Sequence, residues 1–179
     1  PAGYREGKPG KGTFVGHPKL TRAISSNILG FTEIFRMMDI VPGAKTLKIA
    51  LEEPTDKEAE LMHLKEGDSI IVVERIRYAD GKPIMLESNK YPESFSFLFQ
   101  ENLNDTSLYQ ILRTKHGISL DHTTRTIDIV FSTAQEAKLL EISKGYPLLR
   151  VSSIITDAAS SYTSLGKQLF IGDRYKIII

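Results

Sequence analysis

The chain has 179 residues, 41% apolar and 25% charged, with a formal net charge of +1. That length carries one domain with a substantial core, and the near-neutral charge excludes a strongly basic nucleic-acid surface as the main design. With no cysteine there is no disulfide and no thiolate metal site, and no stretch approaches the roughly 20 apolar residues of a membrane span. The polar, Gly/Pro-rich N-terminus carries no signal-peptide pattern, so a cytoplasmic setting is expected.

Residues 1–12 read as a loop or linker, with Thr13-Phe14-Val15 as a short β-prone continuation. Arg5, Lys8, Lys11, Lys19 and Arg22 make residues 1–22 basic, against Glu6 alone. Residues 31–38 predict a helix with Thr32 as a cap, stopped by Pro42-Gly43. Residues 45–51 predict a strand. A helix beginning at Asp56 and Lys57 is expected to end at Gly67, and residues 69–79 to form a strand. Asp80-Gly81 is a strong hairpin signal, returning over residues 83–91. Residues 107–116 predict a helix closed by Gly117. Residues 123–131 alternate as a strand, with Arg125, Ile127, Ile129 and Phe131 on one side. Ser132 and Gln135 read as a capping box for a helix that precedes a strand over 147–156. Strands over 161–171 and 175–179 follow. Hairpin links dominate, so an α+β fold is expected, with about six mainly antiparallel strands and three or four flanking helices.

One stretch occurs twice. Residues 57–78 superpose on residues 135–156 at a spacing of 78, pairing Glu58 with Glu136, Ala59 with Ala137, Leu61 with Leu139, Gly67 with Gly145 and Val73 with Val151. The helix–strand unit is repeated, but Arg75 and Arg77 meet Ser153 and Ile155. Cations that the scaffold does not require are candidates for recognition. Two apart on a strand, they share a face, and a planar guanidinium suits phosphate or carboxylate. Glu87 joins that face if the turn carries an extra residue, and the opposite face if it does not. Ser107 opens a helix, as its N-cap or as part of an anion site at the free N–H groups there; the same anion reading applies to the helix start at Phe31-Thr32.

The four histidines show no metal-ligand spacing, and no hydrolase elbow, Walker loop or dinucleotide fingerprint occurs. No cofactor or metal is expected.

Gly10 to Val15 resembles the wing tip of the winged-helix domain of GntR-type transcriptional regulators, and the remainder resembles the effector-sensing UTRA domain of the HutC branch of that family. The matching pieces, in order, are Phe31-Thr32, Arg75-x-Arg77 followed by Asp80-Gly81-x-Pro83, Glu87, Ser107-Leu108-Tyr109, Ala137-x-x-Leu140, Gly145-x-Pro147-Leu148-Leu149 and Gly172 to Lys176. The resemblance implies residues 1–15 as a wing remnant, 16–27 as a linker and 28–179 as an effector domain of chorismate-lyase-like fold. It implies a homodimer that meets operator DNA only through a winged-helix domain outside these residues. It also implies a small-molecule effector, a phosphorylated sugar in the pattern of relatives that sense phosphorylated amino sugars. Phe31, Thr32, Arg75, Ser107 and Tyr109 would hold the phosphate, and Arg77 and Glu87 would read the sugar. Those relatives carry a second Glu where this chain has Ser164, and an arginine where it has Ile171. The hydroxyl of Ser164 is compatible with another phosphorylated sugar or sugar conjugate. Two other readings stand beside this one: a chorismate-lyase-like enzyme with Glu87 as acid or base, and an interaction domain in which both arginines are structural.

Overall fold

In a computed structural model of the chain, residues 31–120, 122–157 and 162–174 are described in full, and the backbone alone over 4–8, 12–16, 20–23 and 175–178. β1 (Tyr4–Lys8) and β2 (Gly12–Gly16) pair as an antiparallel hairpin. The expected loop is therefore partly strand over Tyr4–Lys8 and Gly12–Gly16. β3 (Leu20–Ala23), inside the expected linker, pairs in parallel with the last strand, β10 (Tyr175–Ile178).

The main sheet has six strands, β4 (Pro42–Glu52), β5 (Ile70–Ala79), β6 (Lys82–Pro92), β7 (His122–Phe131), β8 (Pro147–Thr156) and β9 (Thr163–Ile171), in the order β4-β5-β6-β9-β8-β7. All its neighbours are antiparallel. The helices are α1 (Phe31–Met37), α2 (Asp56–Met62), α3 (Leu108–His116) and α4 (Ala134–Leu140), with a 3₁₀ segment over Glu93–Gln100. The fold is α+β, as expected.

The sequence repeat is a structural repeat. β4–α2–β5–β6 and β7–α4–β8–β9 are equivalent halves that meet at the β6–β9 pairing. The spacing of 78 holds at every landmark. Thr55 and Thr133 cap the helices, each in a capping box with Glu58 or Glu136. His63 and Glu141 close them in the left-handed conformation. Gly67 and Gly145 take positive φ in the turn that follows, where a side chain would strain the backbone. Two expectations are corrected here. The second box is Thr133–Glu136, one residue beyond Ser132–Gln135. Ser132 Oγ instead donates to Ser143 O and accepts from Tyr146 N, bracing the turn. And α2 stops at Met62, so Gly67 belongs to the turn rather than to the helix end.

The two faces of the sheet have different covers. Met62 of α2 packs on Ile70 and Val72, and Leu140 of α4 packs on Leu148, Leu169 and Ile171. On the other face, α3 and the 3₁₀ segment cover Ile71, Val73, Tyr91 and Ile155 with Phe95, Leu98, Leu108 and Leu112. There α1 covers Met85, Val151 and Phe170 with Phe31 and Phe35. Burying each such side chain contributes about 1.5–3 kcal/mol. Between these two apolar patches the same face carries polar residues.

Candidate functional site

The site begins with a hairpin. Asp80 and Gly81 form a two-residue turn, both with positive φ, as a type I′ turn requires. Continued without interruption, that register would turn Glu87 away from the arginines. A bulge at Ile84 intervenes: Tyr78 faces Pro83, but Arg77 faces Met85 and Arg75 faces Glu87. One extra residue moves Glu87 to the face of Arg75 and Arg77. The open alternative is thus resolved by a two-residue turn plus a bulge.

All three side chains are buried, with 1% of Arg75, 2% of Arg77 and 4% of Glu87 exposed. Arg75 Nη2 donates to Glu87 Oε2 at 2.8 Å, and Arg77 Nη1 lies 3.5 Å from the same oxygen. Arg75 Nη1 reaches Thr106 O at 3.3 Å, just ahead of α3. Arg77 Nη2 donates to Thr32 Oγ1 at 2.7 Å, and its guanidinium lies 4.5 Å from the Phe31 ring centroid. The Nε atoms of both arginines are buried with no hydrogen-bond partner among the described residues. Two buried cations share the Glu87 carboxylate, and their Nε donors are left in surplus. Burial pushes Arg77 down to about 10, with Glu87 opposing and Arg75 reinforcing the shift; it stays charged at neutral pH. Burial works to raise the Glu87 carboxyl, but Arg75 and Arg77 outweigh it and hold it below its ordinary value.

α1 and α3 complete the site. α1 starts at Phe31, so Thr32 is inside its first turn rather than its cap, and its hydroxyl serves Arg77. Ser107 is the N-cap of α3: its Oγ accepts from Gln110 N at 3.2 Å and donates to Glu33 Oε1 at 2.8 Å. Phe31, Thr32, Arg75, Arg77, Glu87, Ser107 and Tyr109 all line one cavity. Seven of the eight expected residues therefore converge. Ser164 stands apart: it is buried on the same face, but its Oγ donates to Ile155 O at 3.4 Å and it does not line the cavity. On β9 that place is taken by Gln168, directly opposite Glu87.

The remaining wall comes from the second half of the repeat, as Thr123, Arg125, Ser153 and Ile155. Ser153 and Ile155 are the repeat counterparts of Arg75 and Arg77, so the cavity straddles the pseudo-twofold axis. Sequence reasoning gave no role to Arg125, Gln168 or Glu33. Strand alternation had placed Arg125 on a defined side, but not which side the site would use. The enclosed space is about 20 Å³, enough for roughly one water. No cluster of metal-ligating side chains occurs among the described residues, and no helix there is long and apolar enough to cross a membrane.

A family model described as the UTRA domain matches residues 37–176. The chain belongs to the UTRA domain family. The HTH-type transcriptional repressor NagR of Bacillus subtilis is 25% identical over 169 residues, covering 94% of this chain and 69% of NagR. A relative in Escherichia coli K12, named a probable fructoselysine utilization operon transcriptional repressor, is 28% identical over 152 residues, 83% of this chain and 60% of that protein. PhnF of Mycobacterium smegmatis superposes with a TM-score of 0.86 at 23% identity, over 97% of this chain and 76% of PhnF. The effector domain of PhnF taken alone gives 0.81 at 22%, over 89% of this chain and 97% of that domain. The UTRA fold of GntR-type effector domains is thus the fold of this chain.

Proposed function

We propose that this UTRA domain is the sensing and dimerising part of a bacterial GntR-type transcriptional regulator, and that its effector is a small phosphorylated sugar or sugar conjugate. One observation carries the reading: two almost fully buried guanidiniums with spare donors, beside the N-terminus of α3, share a single carboxylate. A phosphate brings acceptors to the spare donors of Arg75 and Arg77, beside Ser107 and Tyr109 in the same cavity lining. Thr32 and Phe31, at the start of α1, give up their contacts with Arg77 to it, and Glu87, Gln168 and Arg125 meet the attached group. The relative named for fructoselysine utilization supports a sugar conjugate.

A space of about 20 Å³ does not admit a sugar phosphate, so binding moves α1 outward. That movement is the signal, passed through residues 16–27 to a winged-helix domain whose wing is residues 1–15, with most of the β1–β2 hairpin. Effector and operator then influence each other reciprocally. Catalysis is not favoured, because a carboxylate held charged by two arginines is poorly poised as a general acid.

The test is thermal stability against phosphorylated sugars and their free counterparts. A phosphorylated ligand at about 100-fold over its Kd stabilises by roughly 2.7 kcal/mol, and the free sugar does not. Stabilisation only by unphosphorylated metabolites contradicts the proposal.

A further inference from the structure

Glu33 already holds the Ser107 hydroxyl, one of the groups proposed above to take the effector's anion. Glu33 lies in the first turn of α1, 74 residues before Ser107, and its Oε1 accepts from the Ser107 hydroxyl at 2.8 Å. That hydroxyl is the N-cap of the nine-residue helix α3, where free N–H groups and the helix dipole favour an anion. Its second oxygen, Oε2, is buried with no partner among the described residues. Arg77 feels its charge, and Arg75, whose Nε is buried and without a partner among the described residues, lines the same cavity as Ser107. A buried carboxylate oxygen with no donor is costly. The Glu33 charge reaches Arg77, yet no hydrogen bond joins Glu33 to either guanidinium, and both arginine Nε atoms are left without a partner among the described residues.

We infer that Glu33 is a tethered competitor for the effector's anionic group, an internal pseudo-ligand that holds α1 closed until a better anion expels it. The inference rests on the proposed anion-sensing function of this site and adds the residue that sets its threshold. The Ser107 hydroxyl has one proton to donate, and like charges sharing it would repel, so a phosphate and the Glu33 carboxylate are alternative acceptors of that bond. Because Phe31, Thr32 and Glu33 are consecutive, expelling Glu33 also takes Thr32 off Arg77 and Phe31 off its guanidinium. One displacement therefore releases three contacts and turns anion binding into movement of α1.

Glu33→Gln keeps the shape and the acceptor but removes the charge. Glu33→Asp keeps the charge but shortens the reach to Ser107, and serves as a second variant should the first fold poorly. Calorimetric titration of the chain with inorganic phosphate, glucose 6-phosphate and glucose reads the outcome. The expected result is phosphate and glucose 6-phosphate binding about tenfold tighter or more in Glu33→Gln, a smaller gain in Glu33→Asp, and no change toward glucose. Anion binding by the original chain that is unchanged or weakened in both variants overturns the inference and leaves the sensing function standing. Failure of phosphate and glucose 6-phosphate to bind any of the three proteins overturns both.

Discussion

Arg75 faces Glu87 across the β5–β6 ladder with Nη2 2.8 Å from Oε2, and the bulge at Ile84 is what brings them opposite each other. The pair is buried on both sides, so its value depends on each partner's presence. Removing one member of a buried pair costs about 3–5 kcal/mol, because the survivor is left charged in an apolar setting. Glu87→Gln leaves two arginines without their counter-ion. Urea denaturation should show a loss of about 3–5 kcal/mol, partly restored by phosphate or sulfate, which an ordinary core defect would not be.

Acid should act through the same carboxylate. Glu87 is held below the ordinary carboxyl value in the folded chain. Its contribution is therefore fully present above the unfolded value of about 4.5 and is lost as the pH falls through the lowered folded value. Thermal melts between pH 7 and pH 3 should show a steep fall below about pH 4.5 that is shallower in Glu87→Gln. An equally steep fall in the variant would place the acid sensitivity elsewhere.

Substituting Arg75→Ser and Arg77→Ile together copies the second repeat onto the first. Burial of Glu87 changes what that exchange should do. Both arginines cannot be removed cleanly while Glu87 stays, since it becomes an unpaired buried charge. The double variant should be strongly destabilised, and adding Glu87→Leu should recover most of the loss. A double-mutant cycle should therefore give a coupling of about 1–3 kcal/mol. Strict additivity would show that the arginines and Glu87 are independent.

The repeat predicts equal caps. Thr55→Ala and Thr133→Ala each remove one capping box and should each cost about 1 kcal/mol, or about 2–4 °C in Tm. Ser132→Ala should cost as much or more, through the turn it braces rather than through the helix.

The edge strand β7 exposes Ile129 at 69% and Phe131 at 71% on the site face. A long edge with apolar residues is a liability unless covered, and a second copy of the chain is the proposed cover. Phe131→Glu should shift the mass measured by light scattering from dimer to monomer. A dimer that persists in the variant would move the interface elsewhere.

Much of this architecture was readable because its causes are local. Helix–strand units announced themselves by periodicity and by the Gly67 and Gly145 turns, and the missing arginines of the second copy drew attention to the first. What escaped reading depends on contacts distant in sequence or on single-residue offsets. The Glu33–Ser107 bond joins residues 74 apart, and nothing near either announces the other. One unpaired residue, Ile84, reverses the side of Glu87, and Asp-Gly signals the turn without signalling the bulge. Glu93–Gln100 has no place in the sequence reading; its backbone turns as 3₁₀ and buries Phe95 and Leu98. The capping box was displaced by one residue because Ser132-Thr133 and Gln135-Glu136 offer two equivalent boxes, and the bracing of Ser143 and Tyr146 decides between them. Ser164 was assigned by resemblance, and the register gives its place beside Glu87 to Gln168.

Arg75 and Arg77 are proposed to bind a phosphate. Phosphorus NMR of glucose 6-phosphate titrated with the chain tests it most directly, because only the phosphate reports. A shifted or broadened resonance is expected with the original chain and an unperturbed one with Arg75→Ser/Arg77→Ile/Glu87→Leu, whose folding is checked by its melt. A resonance equally perturbed by both proteins, or by neither across a panel of phosphorylated sugars, would contradict it.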